Sequence, residues 1–258
     1  MDSIIYLHDG TFEGLLHAVA IAVKSQKDVQ GIYAEKGFSP QIFDTLIRLQ
    51  TESKQALRLF AYLKKLGGTA AHFTVNSFLS DDREVGIHLY KMVQECLVRG
   101  PKATQLYTHD SIRYLDNLSQ KVGSEAHRFT GLIRFRILED DLQYAPFEPD
   151  CMVIGHLALH FKKRLKNRRW ILHDIRRNHA LYWDTESLQS IDIDDEFTDH
   201  VRQHGEIPES RLSEKELHYQ ELWNSFHTAI ANTDRKNLDL QRQFMPARYW
   251  KYLVEMRS

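Results

Sequence analysis

The 258-residue chain has only two cysteines, Cys96 and Cys151, far apart in sequence. That spacing suggests neither a disulfide framework nor a cysteine-built metal site, and there is no cysteine cluster to hold an iron–sulfur centre. Long apolar runs are missing as well. None approaches the roughly 18 residues of a membrane span, and the opening MDSIIYLHDG has neither a basic start nor a cleavable apolar region. A cytoplasmic protein without a membrane partner is expected. Also absent are the GxxxxGK phosphate loop, a GxGxxG after a strand, HExxH and GxSxG. No cofactor is therefore assigned. Repeats, low-complexity segments and Pro- or Gly-rich linkers are lacking too, which favours one interleaved domain over 1–258. The alternative division is a helical part, 1–124, and an α+β part, 125–258.

What the chain does have is charge in the wrong proportions for its neutral total. Between Lys162 and Arg177 there are eight Lys or Arg against one carboxylate, Asp174, so this segment carries +7 in a protein of net charge -1. From Asp184 to Glu221 there are twelve carboxylates and three Lys or Arg, a net of -9. The dipole has two readings. In one, the basic segment offers its field to a phosphate-rich partner. In the other, the acidic stretch packs against the basic one and leaves no field to offer.

Hydrophobic content of 42% is enough for a real core. Ile4 to Leu7 reads as a buried strand turning at Asp9-Gly10, with Thr11 as the N-cap of a helix carried by Phe12, Leu15, Leu16, Val19 and Val23. Helices are predicted at about 53 to 66, 81 to 98 and 110 to 122. In Leu132 to Leu138, Ile133, Phe135 and Ile137 alternate with Arg134 and Arg136, which predicts a strand with both arginines on its wet face. Trp170 to Ile175 and Ala180 to Trp183 read as further strands, joined by a basic turn. Ile154, Leu157, Ala158, Phe161 and Leu165 place a helix between the sheet segments. A helix over about 213 to 232 is anchored by Leu217, Leu222, Trp223 and Phe226. The fold class is α+β: a helix-rich N-terminal part, then a small antiparallel sheet with packed helices.

Three constellations could carry chemistry. His156 and His160 share a helix face as a metal pair would, with Glu148, Asp150 and His179 available to complete a shell. Fourteen histidines make that spacing easy to meet by chance, and no metal is assigned. His127, Glu148, Asp150 and Asp174 could do acid–base work if the sheet gathers them. Ion pairing with Arg128, Arg134, Arg176 and Arg177 is the competing role for the same carboxylates. For nucleic acid, cations stand beside aromatic faces. Trp170, Tyr182 and Trp183 flank the basic segment, and Arg235, Lys236 and Arg248 combine with Trp250 near the end of the chain. Trp250 and Tyr252 serve equally well to dock the last helix.

The segments HDGTFEGLLHAVA, EAHRFTGLIRFR, YAPFEPD, HFKKR, WILHDIRR, ALYWD and RKNLDLQRQFMPARYWKYL resemble an uncharacterised bacterial family described as DNA metabolism or DNA repair proteins. The similarity runs in order through nearly the whole chain. The matching polar positions are Asp9, Gly10, Glu13 and Gly14, then His127, Arg128, Gly131 and Arg134. Glu148, His160, Arg164, Trp170, Asp174 and Arg177 follow, and finally Arg235, Asn237, Arg248, Tyr249 and Trp250. His8 stands where the family usually has Tyr, and Phe129 where Met is common. Members are typically encoded beside a radical SAM protein of DNA modification or repair, and some are fused to a uracil-DNA glycosylase-like domain. The resemblance implies a DNA pathway by association and establishes no catalytic role for any residue.

Three functions are therefore expected in order. The first is a DNA-binding accessory to a radical SAM enzyme in base repair or modification. Arg128, Arg134, Arg136, Lys162, Lys163, Arg164, Lys166, Arg168, Arg169, Arg176, Arg177, Arg235, Lys236 and Arg248 would meet the phosphates of single- or double-stranded DNA. The second is a nucleic-acid-processing enzyme using His127, Glu148, Asp150 and Asp174. The third is a protein-interaction subunit without DNA contact.

Overall fold

A computed structural model describes residues 4–25, 27–231 and 237–256, and the fold is α+β. The chain divides into two compact units, Met1–Gly123 and Ser124–Ser258. Among the described residues no helix is long and apolar enough to cross a membrane.

The first unit is built on a three-stranded parallel sheet of order β2-β1-β3, with β1 Ile4–His8, β2 Val29–Ala34 and β3 Thr45–Arg48. The central strand is buried along its whole length, which is why it reads as an unbroken apolar run. Thr11 caps helix α1, Phe12–Ser25, by accepting the Gly14 amide at 2.9 Å. Helices α2 Ser53–Lys65, α3 Gly68–Leu79, α4 Val85–Arg99 and the first turns of α5 Asp110–Leu132 complete the unit. Leu89, Met92, Val93 and Cys96 of α4 form a buried stripe. Gly86 lets α4 lie directly on β2, since a Cβ there would stand 2.3 Å from the Ile32 carbonyl oxygen.

The second unit contains a five-stranded sheet of order β4-β5-β6-β7-β8: β4 Arg136–Ile137, β5 Gln143–Phe147, β6 Trp170–Asp174, β7 His179–Trp183 and β8 Leu188–Ile191. Every pairing is antiparallel except β5 with β6, which is parallel and joined by helix α6, Ile154–Arg164, as crossover. Helices α7 Asp195–His204, α8 Glu214–Ile230 and α9 Leu238–Phe244 follow, and the chain closes in two 3₁₀ turns, Ala247–Tyr252 and Val254–Met256. The core is aromatic. Phe129, from the end of α5, meets both Phe147 and Tyr249, while Phe135 meets Phe161 and Trp170.

Two expectations need correction here. Helix α5 continues to Leu132 and the strand begins only at Arg136, so the alternating pattern is not a strand over its full length. Arg136 does not share a wet face with Arg134. It is 1% exposed, and its guanidinium donates to the carbonyls of Gly205 (3.4 Å) and Tyr252 (3.1 Å). The second correction concerns α8. Leu217, Leu222, Trp223 and Phe226, read as core anchors, are substantially exposed, and the buried residue of that helix is Glu216, which accepts the Ile137 amide.

Candidate functional site

The loop between β5 and α6 gathers a network of charged residues of the second unit: Glu125, Glu148, Asp150, Asp174, Arg176, Arg177, Arg248 and Lys251. Asp174 ends β6, fully buried, and accepts from the Arg177 guanidinium at 3.0 Å and from the Arg177 amide. The same guanidinium donates to the carbonyls of Pro149 (3.3 Å), Asp150 (2.6 Å) and Cys151 (3.4 Å). Arg177 thus shapes the loop around itself, a use of the planar fork that lysine could not match. On the other side, buried Glu125 accepts the amides of Asp150 (3.0 Å) and Cys151 (2.7 Å) and the hydroxyl of Tyr249 (2.6 Å).

The chain's closing turn seals this loop. Arg248 pairs with Asp150 at 2.5 Å, Arg176 pairs with the same carboxylate at 3.2 Å, and Lys251 pairs with Glu148 at 2.5 Å. Tyr252 adds a hydrogen bond to Glu148 at 3.1 Å. Burial raises the Glu148 carboxyl, yet Lys251 and Tyr252 outweigh it and hold the group below the ordinary carboxylate value. Burial likewise opposes ionisation of Glu125, but the Tyr249 hydroxyl and two loop amides keep it below the usual range. For Asp174 burial prevails over Arg177, and its carboxyl is raised.

The expected acid–base set is therefore only partly assembled. Glu148, Asp150 and Asp174 lie in one loop network, each already facing a cation. His127 stands exposed on α5, and among the described residues its ring has no hydrogen-bond or ion-pair partner. His173, beside Asp174, is buried: it accepts from the Tyr144 hydroxyl at 2.7 Å and donates to Asn178 at 3.1 Å. Among the described residues no three His, Cys, Asp or Glu side chains converge as a metal shell.

The expected phosphate contacts separate into two groups. Arg134 is held by Glu255 at 2.6 Å and lies over the Trp223 ring, Arg136 and Arg177 are engaged as described, and Arg176 and Arg248 share Asp150. Arg248 and Lys251 are each ion-paired, with Asp150 and Glu148. Arg235 and Lys236 lie outside the described residues. The other group occupies the end of α6 and the loop to β6. Lys162, Lys163, Arg164, Lys166, Arg168 and Arg169 are all exposed. Arg169 donates to the Asp140 carbonyl at 2.8 Å, with the Asp140 carboxylate at 3.9 Å. Among the described residues, no carboxylate is within ion-pair distance of the other five. Arg128, exposed on α5, is in the same position.

Nor does the acidic stretch engage this segment in ion pairs. Asp184 caps its own turn through Glu186 and Ser187, Asp194 caps α7, Asp195 accepts from Asn178, and Asp199 pairs with Arg202. Of the described carboxylates from 184 to 221, none pairs with residues 162–169. The aromatic faces expected beside the loop are occupied, however. Trp170 and Trp183 are buried and face each other across β6 and β7, and Lys162 covers Trp183 at 4.5 Å. They belong to the core.

Residues 83–255 match a family model described as a domain of unknown function, DUF4130. The chain belongs to the DUF4130 family. No curated protein matches it. The DUF4130 region contains every candidate site residue named above, together with Glu125, Tyr249 and Tyr252. Sequence reasoning assigned no role to Glu125. Its only signal is position: it lies four residues before Phe129 on one face of α5, and both turn inward.

Proposed function

We propose that this DUF4130 protein binds nucleic acid along the end of α6 and the loop that follows. Within its pathway it acts as a DNA-binding accessory to a radical SAM enzyme in base repair or modification. The observation that carries the binding step is the run of exposed cations from Lys162 to Arg168 with no carboxylate in ion-pair reach among the described residues. Unpaired cations on one short segment hold a local field that phosphates relieve with release of counterions. The placement of the acidic carboxylates supports the same reading, because each described interaction they make is with another part of the chain. The accessory role rests on the resemblance to proteins encoded beside a radical SAM enzyme. A non-catalytic role is favoured by the cation partners that Glu148, Asp150 and Asp174 already have.

The test is binding of labelled single- and double-stranded DNA across a salt series, beside a variant with Lys163, Arg164, Lys166 and Arg168 changed to Glu. About four phosphate contacts should give a log–log salt slope of roughly -3 for single strands and -3.5 for duplex, lost in the variant. Absence of binding at low salt, or binding that survives the charge reversal in a folded protein, overturns the assignment. Co-purification with the neighbouring radical SAM protein tests the accessory role separately.

A further inference from the structure

The outer face of α2, in the first unit, is a second basic surface. From Ser53 to Ser80, a stretch that spans α2 and α3, there are four Lys or Arg and no carboxylate. All four, Lys54, Arg58, Lys64 and Lys65, belong to α2 and are exposed. At about 100° per residue, Lys54, Arg58 and Lys65 fall within a sector of about 40° and form a stripe roughly 16 Å long. Ala56 and Leu63, the buried residues of the helix, lie on the opposite side, so the stripe points outward. Ala61 fills the gap between Arg58 and Lys65 on the same side and is exposed as well.

The helix itself has no use for these charges where they stand. Lys64 and Lys65 suit the negative end of its macrodipole, but Lys54 sits in the first turn, where a carboxylate is favoured and α2 has none. Lys54 and Arg58, four residues apart, also repel each other. Elsewhere in the first unit Arg48, Arg99 and Arg113 are each paired with a carboxylate. Among the described residues, no carboxylate is within ion-pair distance of Lys54, Arg58 or Lys65.

We infer that the α2 face is a second nucleic-acid contact, which meets the phosphate backbone and reads no bases. Unpaired cations aligned along one helix are the electrostatic footprint of such a partner, and the small Ala61 lets a backbone approach between them. Bases find no free aromatic face here. Phe60 is covered by Lys64 at 4.6 Å and packs on Phe12, and the Tyr62 hydroxyl donates to the Cys96 carbonyl. The inference rests on the nucleic-acid reading above and adds a contact outside the α6 segment. About three phosphate contacts hold a strand only weakly at physiological salt, so α2 reinforces the α6 track and does not replace it.

The test uses the full chain with Lys54, Arg58 and Lys65 changed to Gln. A control changes Lys36, Lys102 and Lys121, exposed cations of the same unit, to Gln. Among the described residues none of the six makes a hydrogen bond or ion pair, so both variants should fold, as circular dichroism would verify. Wild type should bind a labelled single strand of about 40 nucleotides with a log–log salt slope of roughly -5, from about seven contacts rather than four. The α2 variant should bind about tenfold or more weakly at about 0.1 M salt, with the slope back to roughly -3, and by the same factor for oligo(dA) and oligo(dT). The control should bind as wild type does. With the strand bound, Lys54 and Lys65 should be protected from acetylation, read by mass spectrometry, and Lys102 and Lys121 should not.

Equal binding by wild type and the α2 variant, with both slopes near -3, overturns this face and leaves the α6 track standing. Equal weakening in the control assigns the effect to net charge and overturns it too. No strand binding by wild type at low salt overturns the nucleic-acid reading and this inference with it. Unchanged strand binding together with lost flotation on phosphatidylserine vesicles in the α2 variant would give the face to a membrane surface instead.

Discussion

Tyr249 donates its hydroxyl proton to Glu125 across 2.6 Å, joining residues 124 positions apart in the chain. Glu125 also accepts two amides of the β5–α6 loop, so one buried carboxylate ties α5, the loop and the closing turn together. Removing the Tyr249 hydroxyl leaves that carboxylate short of a donor, and Tyr249→Phe should cost about 1–3 kcal/mol. Glu125→Ala, which strands both loop amides and the tyrosine, should cost more, about 3–5 kcal/mol. Urea unfolding of the two variants beside wild type checks the order. Equal stability of Glu125→Ala and wild type would show that the network contributes nothing.

A second consequence concerns pH. Burial pushes the His173 imidazole down to about 4, whereas in an unfolded chain it takes a proton near 6.5. Between those values the unfolded state holds more protons. His173 therefore contributes stability that is fully present above about pH 6.5 and is lost as pH falls toward 4, amounting to about 3 kcal/mol. Two other imidazoles, buried His8 and half-buried His88, are shifted the same way by burial, so the informative measurement is a difference. His173→Gln should flatten the stability profile between pH 6.5 and 4 relative to wild type, and an unchanged slope would refute the assignment.

The parts legible in the sequence were those where one local pattern decides. The unbroken apolar run of β1, the Thr11 cap and the stripe of α4 each follow from spacing alone, and the structure has them. β5 was not read as a strand because YAPF lacks alternation: a strand buried on both faces and paired in parallel to β6 has no wet side to display. The pattern at 132–138 misled for the opposite reason. Alternation is real there, but α5 occupies its first residue and the carbonyls of Gly205 and Tyr252 draw Arg136 inward, a long-range effect that no local period can express. The basic run was legible, while the division between its paired and unpaired members was not. Whether a cation is spent on Asp150 or Asp174 depends on loops brought together by the fold.

That division gives a third prediction, on stability rather than binding. Charge reversal at Lys163, Arg164, Lys166 and Arg168 removes no described contact, and the folded state should change by no more than about 0.5 kcal/mol per site. Arg136→Met, by contrast, removes the donors to two buried carbonyls and should cost about 2–4 kcal/mol. Thermal unfolding of the two variants separates a surface track from a structural cation. A strongly destabilised surface quadruple variant would mean that those side chains are not free.

Gly205 offers a sharper test of how the closing turn is held. It ends α7 in the left-handed region at φ 68°, where a side chain costs about 1–2 kcal/mol. A Cβ there would also stand 2.2 Å from the Lys251 carbonyl oxygen, so the turn carrying Lys251 and Tyr252 would have to move. That movement would withdraw the Tyr252 carbonyl from Arg136 and disturb the Lys251 pair with Glu148. Gly205→Ala should therefore cost about 2–4 kcal/mol, more than backbone strain alone. Since it damages the same seat that Arg136→Met empties, the double variant should lose less than the sum of the two single losses, by about 1 kcal/mol or more. Strict additivity in a double-mutant cycle would mean that α7 and the closing turn are held independently, and that Arg136 does not link them.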